Sequence, residues 1–284
     1  RPLTVAGRAV VRTPAGVEGR LVYLDRDLLT IPSLAIHQQR DVNRGHDYNA
    51  QKDMQPLYAL GGGPSLTALL AEELGVDVGD SLKDTLAAEA GVKAEDILAT
   101  DLVLCPRQAP VRIGPEGEFF QAPRIDDLGC AYATLEGFLS AKGTERFGQL
   151  YCLFDNEEVG SGTRQGAMSS FLPDVLTRIG EALGLSAQAR RQALAGSLLL
   201  SADNGHAVHP NFPEKADPAN KVYPNGGVVI KYSANQKYTT TGLTAGLFQA
   251  ICQKAGVPVQ TFANRADVAG GSTLGNLLGR QILM

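Results

Sequence analysis

The chain has no tryptophan, and methionine, cysteine and histidine are scarce, with three, four and four copies in 284 residues. Cys105, Cys130, Cys152 and Cys252 lie too far apart for any Cys-x-x-Cys pair. That spacing excludes cysteine-rich structural zinc and a dithiol redox motif. Three of the four sit in apolar segments, which reads as buried free thiols of a reducing cytoplasm. Basic runs are also missing, and the formal net charge is −4, so neither nucleic acid nor an anionic membrane is expected as the main partner. No apolar stretch approaches the roughly 20 residues of a spanning helix. The start shows no signal-peptide pattern, and a cytoplasmic location is expected. No internal repeat or low-complexity segment occurs. The chain opens on Arg1 and stops at Met284 directly after an apolar, helix-like start, so a longer parent polypeptide is expected.

What remains is an ordinary globular composition, 44% hydrophobic and 20% charged, long enough for a large core and one or two domains. Up to about residue 122 the pattern is strand-rich. Alternation predicts strands at 4–12 and 19–24, an apolar run at 28–36 is broken by Pro32, and residues 40–60 are polar and irregular. Gly61-Gly62-Gly63-Pro64 is a breaker, followed by helical spacing at 65–74 and 80–90 and a short helix start near Lys93. Further strands are expected at 101–105, 111–114 and 118–121. Strands and helices without regular alternation suggest an α+β unit.

From Pro123 onward the rhythm becomes α/β. Helices are predicted at 128–141, 165–183, 187–196 and 240–255, with a helix start at 273–282, and strands at 148–154, 197–202, 227–232 and 257–262. Such alternation predicts a mainly parallel sheet covered on both faces, with ligands outside the carboxyl ends of its strands. The expected organisation is therefore a domain at 1–122 and a domain at 123–284.

Three acidic sites follow predicted strands of the second domain: Arg124-Ile125-Asp126-Asp127-Leu128, Asp155-Asn156-Glu157-Glu158-Val159-Gly160-Ser161, and Ser201-Ala202-Asp203-Asn204-Gly205-His206 continuing through His209. Three carboxylates in four residues at the end of a core strand carry a burial and repulsion cost that a divalent cation would offset. Carboxylates and imidazoles suit zinc, cobalt or manganese. Two metals need a bridging carboxylate and terminal ligands, which Asp126, Glu158 and Asp203 could supply, leaving Glu157 to activate a water. Asp126-Asp127 could equally be a helix N-cap, and Asp203 a turn residue. His206 and His209 flank the Asp203 loop. His37 reads as an ordinary partly buried histidine and His46 as a surface residue. Gly270-Gly271-Ser272-Thr273-Leu274-Gly275 enters a helix and is either a backbone N–H cradle or a plain turn. It is neither a P-loop nor a dinucleotide fingerprint. Lys231, beside Ile230 on a predicted core strand, either snorkels or faces an acidic ligand.

Together these residues resemble the aspartyl aminopeptidase family, family eighteen of the metallopeptidases. The resemblance runs through Leu34-Ala35-Ile36-His37, Ala122-Pro123-Arg124-Ile125-Asp126-Asp127, Phe154 to Ser161, Ser201 to Asn211, Val229-Ile230-Lys231, Asn235-Gln236-Lys237-Tyr238 and Gly271 to Gly275. It implies a zinc-peptidase-like three-layer catalytic domain, an inserted dimerisation domain, and two zinc ions. Asp126 would bridge them, Glu158 and Asp203 would each bind one, and Glu157 would be the general base and later the acid. His37 would reach a neighbouring subunit's site, reversing the plain reading of that residue. Lys231, with His206, would face an acidic substrate side chain, and Gly271, Ser272 and Thr273 would hold substrate backbone. The implied activity is removal of N-terminal residues, preferably acidic, from peptides by a homo-oligomer, a tetrahedral dodecamer. The family also takes one histidine ligand from a Gly-His-Thr-Asp-Ser-Pro segment and one from an Ala-Met-His segment. Neither is in this sequence, and both are expected beyond it. A scaffold homologue without activity and a related dinuclear amidohydrolase are the alternatives.

Overall fold

The structure, a computed structural model, describes residues 1–74, 94–143, 147–271 and 274–282. It divides into two compact units, Arg1–Pro123 and Arg124–Met284.

In the first unit, β1 (Leu3–Thr13) is the centre of an antiparallel sheet, flanked by β2 (Gly16–Tyr23) and β3 (Ile97–Pro106). A two-residue turn joins β1 to β2, with Thr13 opposite Gly16. Alternation in β1 sends Val5, Ala9 and Val11 to one face, where they are buried. Helix α2 (Leu66–Glu73) covers that face with Leu69, Leu70 and Ala71. Ser65 caps it, its hydroxyl accepting from the Ala68 amide. Among the described residues the opposite face is largely open, apart from the buried Thr4. Ala6 stands between Tyr23 and Val103, and Arg8 between Leu21 and Asp101. Leu21, Tyr23, Val17 and Val103 are exposed there. A short hairpin, β4 (Val111–Ile113) and β5 (Phe119–Gln121), also exposes Phe119 and Phe120. Between β2 and α2 runs a long irregular stretch with a 3₁₀ turn at Val42–Arg44, helix α1 (Ala50–Asp53) and isolated bridges from Leu29 to Leu3 and from Thr30 to Leu57. The helix expected at 80–90 and the start near Lys93 lie outside the described residues, apart from a 3₁₀ turn at Ala94–Asp96.

In the second unit, α3 (Ile125–Ser140), α4 (Phe171–Ala182), α5 (Ala187–Ala195), α6 (Gly242–Ala255) and α7 (Leu274–Leu278) accompany β6 (Val228–Tyr232) and β7 (Val259–Ala263). β6 and β7 pair in parallel, joined through α6. Thr241 and Thr244 form a reciprocal capping box on α6, and Gly256 ends it in the left-handed region. The core gathers Ala167, Leu172, Leu278 and Ile282.

Three expectations need correction here. The run 148–154 is not a strand, and neither is 197–202; no ladder is formed by either among the described residues. Their burial nonetheless alternates. Cys152, Phe154 and Leu199 pack on the core, whereas Leu153, Leu198 and Leu200 are exposed. Apolar content expresses a demand for burial, but a strand also needs a neighbour for its N–H and C=O groups. The helix expected at 165–183 begins at Phe171, because 155–168 is used in a tight turn instead. All four cysteines are free, with Cys105 and Cys252 buried. Among the described residues no helix is long and apolar enough to cross a membrane.

Candidate metal centre

The second unit brings two of its three acidic segments into one cluster. Carboxylate oxygens of Asp126, Asp127 and Asp203 all lie within 4.8 Å of one another. Asp126 and Asp127 occupy the irregular entrance of α3, where neither has helical dihedrals and Arg124 is left-handed. The N-cap alternative holds for Asp127, whose carboxylate accepts from the Cys130 amide three residues on, where the regular helix begins. Asn204 holds this entrance against the Asp203 loop. Its Nδ2 donates to the Ile125 carbonyl at 2.6 Å, and its Oδ1 accepts from the Cys130 thiol at 3.2 Å.

Asp127 is half-buried; its carboxylate accepts from the Cys130 and Asn204 amides, but its Oδ1 has no hydrogen-bond partner among the described residues. Desolvation, together with repulsion from Asp203, pushes its carboxyl above the usual range, while the Cys130 thiol pulls the other way. The Cys130 thiol is itself pushed up to about 12, first by burial and then by Asp127. A buried carboxylate oxygen without a donor, facing two further carboxylates, is the environment that a cation stabilises. The donor set is all oxygen, which divalent metals of borderline hardness accept.

The Glu157-Glu158 pair sits on a separate tight turn. The Asp155 amide donates to the Gln165 carbonyl, the Gly160 amide to the Glu157 carbonyl, and the Ser161 amide to the Asn156 carbonyl. Asn156 and Ser161 adopt positive φ, near 60° each, and Asn156 Nδ2 donates to Thr163 Oγ1 at 2.9 Å. This turn projects Glu157 and Glu158 to the surface. Glu157 is nevertheless pushed above the usual carboxyl range, first by desolvation, then by Glu158, Asp203, Asp126 and Asp127. It thus feels the whole carboxylate group. Glu158 is not part of the 4.8 Å cluster, and Asp127 is.

Lys231, on β6, donates to Asp203 Oδ2 at 3.0 Å and to the Asn204 carbonyl at 2.7 Å. Its ammonium also lies 5.7 Å from the centre of the Tyr238 ring. It is therefore the cation already matched to Asp203. His206 is exposed beside this loop. Gly271 is exposed, and a Cβ there would meet nothing within 4 Å. Ser272 and Thr273 lie outside the described residues. His37 is in the first unit, exposed on a turn in which the Gln38 and Gln39 amides donate to the Ala35 carbonyl. Sequence reasoning missed Asp127 as a member of the cluster and Asn204 as its brace. The doubled Asp126-Asp127 was the available signal for the first.

The family model for aminopeptidase I zinc metalloproteases (M18) matches residues 1–282. The chain belongs to the M18 aminopeptidase family. Among M18 relatives, the probable M18 family aminopeptidase 2 of Clostridium acetobutylicum is 40% identical over 277 residues, 97% of this chain and 61% of that protein. Its namesake in Pseudomonas aeruginosa strain UCBPP-PA14 is 38% identical over 285 residues, 99% of this chain and 62% of that protein. The chain thus spans about three-fifths of these M18 relatives. A chain of the cryo-EM structure of the Ape4 and Nbr1 complex superposes with a TM-score of 0.84 at 33% identity, covering 99% of this chain and 55% of that one. The S. cerevisiae mApe1 dodecamer superposes with a TM-score of 0.74 at 24% identity, covering 99% and 60%. The mixed α/β fold is thus that of M18 enzymes.

Proposed function

We propose that the protein is a dinuclear zinc aminopeptidase that removes N-terminal residues, preferably acidic ones, from peptides. The observation that carries this reading is the convergence of Asp126, Asp127 and Asp203 within 4.8 Å, with Glu157 perturbed by the same charges. Residues 123–284 form the catalytic domain, of three-layer zinc-peptidase type, and residues 1–122 form an inserted domain for self-association.

Asp126, as the shared ligand, would hold the two ions together with Glu158 and Asp203, one each; cobalt or manganese would fit the same oxygens. When bound, the zinc ions act as Lewis acids, making a water acidic and polarising the scissile carbonyl. Glu157 takes the proton from the attacking water and delivers it to the departing amine. Its raised affinity for a proton, caused by partial desolvation and four neighbouring carboxylates, suits both halves of that transfer. Lys231, with His206 beside it, faces the substrate's acidic side chain. Gly271, Ser272 and Thr273 hold the substrate backbone. His37, exposed on its turn, enters the site of a neighbouring copy.

Glu157→Gln tests the core of this reading. It should lower kcat at least roughly 1,000-fold while zinc content, measured by plasma mass spectrometry, stays unchanged. Substantial remaining peptidase activity would remove Glu157 from the role of base.

Self-association is supported by the open sheet face carrying Leu21, Tyr23 and Val103, which water would otherwise cover. The reading extends to a tetrahedral dodecamer in the cytoplasm. Light scattering after gel filtration should give a mass of many chains, and a monomer at micromolar concentration would refute the assembly.

A further inference from the structure

The stretch that carries His37 has almost nothing apolar to hold it. From Pro32 to Lys52 every residue is exposed except Gln39 and His46, and the next less exposed residue is Asp53. Leu34, Ile36 and Tyr48 all face water. A loop of this length pays a large conformational entropy cost, and apolar burial does not offset it here.

The three less exposed side chains touch one another. Gln39 Nε2 lies 2.6 Å from His46 Nδ1, and His46 Nε2 lies 3.4 Å from Asp53 Oδ2. A single neutral tautomer satisfies both contacts: Nδ1 accepts from the Gln39 amide while Nε2–H points at the carboxylate. The far end of this relay is itself fixed. Asp53 Oδ2 accepts from the Asn49 amide at 2.7 Å, and Asn49 Oδ1 caps α1 by accepting from the Gln51 and Lys52 amides. The Tyr48 ring packs against the imidazole in a T-shaped arrangement, with centroids 4.8 Å apart. At the near end, Gln39 belongs to the turn of His37: its amide donates to the Ala35 carbonyl, and its carbonyl accepts from the Val42 amide. His46 is thus not the plain surface residue expected from sequence; its side chain is three-quarters covered.

We propose that His46 is a positioning residue for His37, tying the His37 turn to α1 through Gln39 and Asp53. This rests on the role of His37 proposed above. Cutting the relay frees the turn that carries His37, whose backbone is held by the Gln38 and Gln39 amides on the Ala35 carbonyl. A displacement of about 1 Å at a catalytic group costs up to roughly 100-fold in rate.

The test uses the intact, metal-loaded enzyme with His46→Ala, His46→Gln, His37→Ala and the double variant. Hydrogen exchange of the peptide 33–46 should speed up in His46→Ala, while the α2 peptide stays unchanged. kcat should fall roughly 10- to 100-fold with KM nearly constant. Glutamine keeps one acceptor and one donor at this position, so His46→Gln should restore both readouts in large part. In the His37→Ala background, His46→Ala should cost nothing further. Unchanged exchange in His46→Ala would overturn the relay. Faster exchange with full activity, in an enzyme that His37→Ala inactivates, would overturn positioning alone. Full activity of His37→Ala would instead overturn the role of His37, and this inference with it.

Discussion

Lys231 has one ammonium and two claims on it. In the structure it serves Asp203 and the Asn204 carbonyl, and in the proposed reaction it serves an acidic substrate. The ammonium has a third N–H, which is free to meet a substrate carboxylate. Lys231→Met should lower kcat/KM for Asp- and Glu-anilides by roughly 100-fold, the scale of losing a charge-assisted hydrogen bond of about 3 kcal/mol. A Leu-anilide should be affected far less. An unaltered ratio of acidic to neutral rates would remove Lys231 from the pocket. At this scale much of the candidate site was readable from the chain. Asp126, Asp203 and Glu157 stand out because carboxylates ending apolar runs need a reason. Asp127 was covered by its equally good reading as an N-cap, and Asn204 did not stand out because a brace acts through backbone geometry that residue type does not encode. His46 was hidden for the same reason: its meaning lies in two polar partners, seven residues away on either side.

Strands β1 and β2 were legible because one face of each needs burial and the other does not, and a period of two survives in the sequence. The runs at 148–154 and 197–202 keep that alternation of burial without the ladder. Composition fixes which side chains turn inward, but pairing depends on which other backbone lies alongside, a non-local fact. The same distinction separates two glycines of the first hairpin. Gly7 and Gly16 both have positive φ, 149° and 129°. A Cβ on Gly16 meets nothing within 4 Å, whereas one on Gly7 would overlap the Asp101 carbonyl oxygen of β3. Gly16→Ala should therefore cost only the backbone term, about 1–2 kcal/mol. Gly7→Ala must also push β1 from β3 and should cost about 3–4 kcal/mol. Thermal unfolding of the two variants gives the comparison, and equal losses would show that the sheet yields at no cost.

The two units have separate cores, Val5, Val22, Leu24, Leu69 and Leu70 with Ala9, Val11 and Ala71 in one, and Ala167, Leu172, Leu278 and Ile282 in the other. The change of rhythm near Pro123 made this division visible in the sequence, because alternating strands and helices demand a different architecture from a strand-rich meander. All the carboxylates of the proposed centre belong to the second unit. Their mutual repulsion is a cost carried by that unit alone, and metal binding should relieve it there alone. Zinc at 100 times its dissociation constant adds about 2.7 kcal/mol to whatever folds around it. Calorimetry with and without a chelator should therefore move the transition of residues 124–284 downward on metal removal and leave that of residues 1–123 in place. Activity should vanish with the metal and return on adding zinc back. Movement of both transitions by the same amount would mean that the units unfold as one cooperative body, and no movement of either would mean that the carboxylate cluster holds no metal in the folded protein.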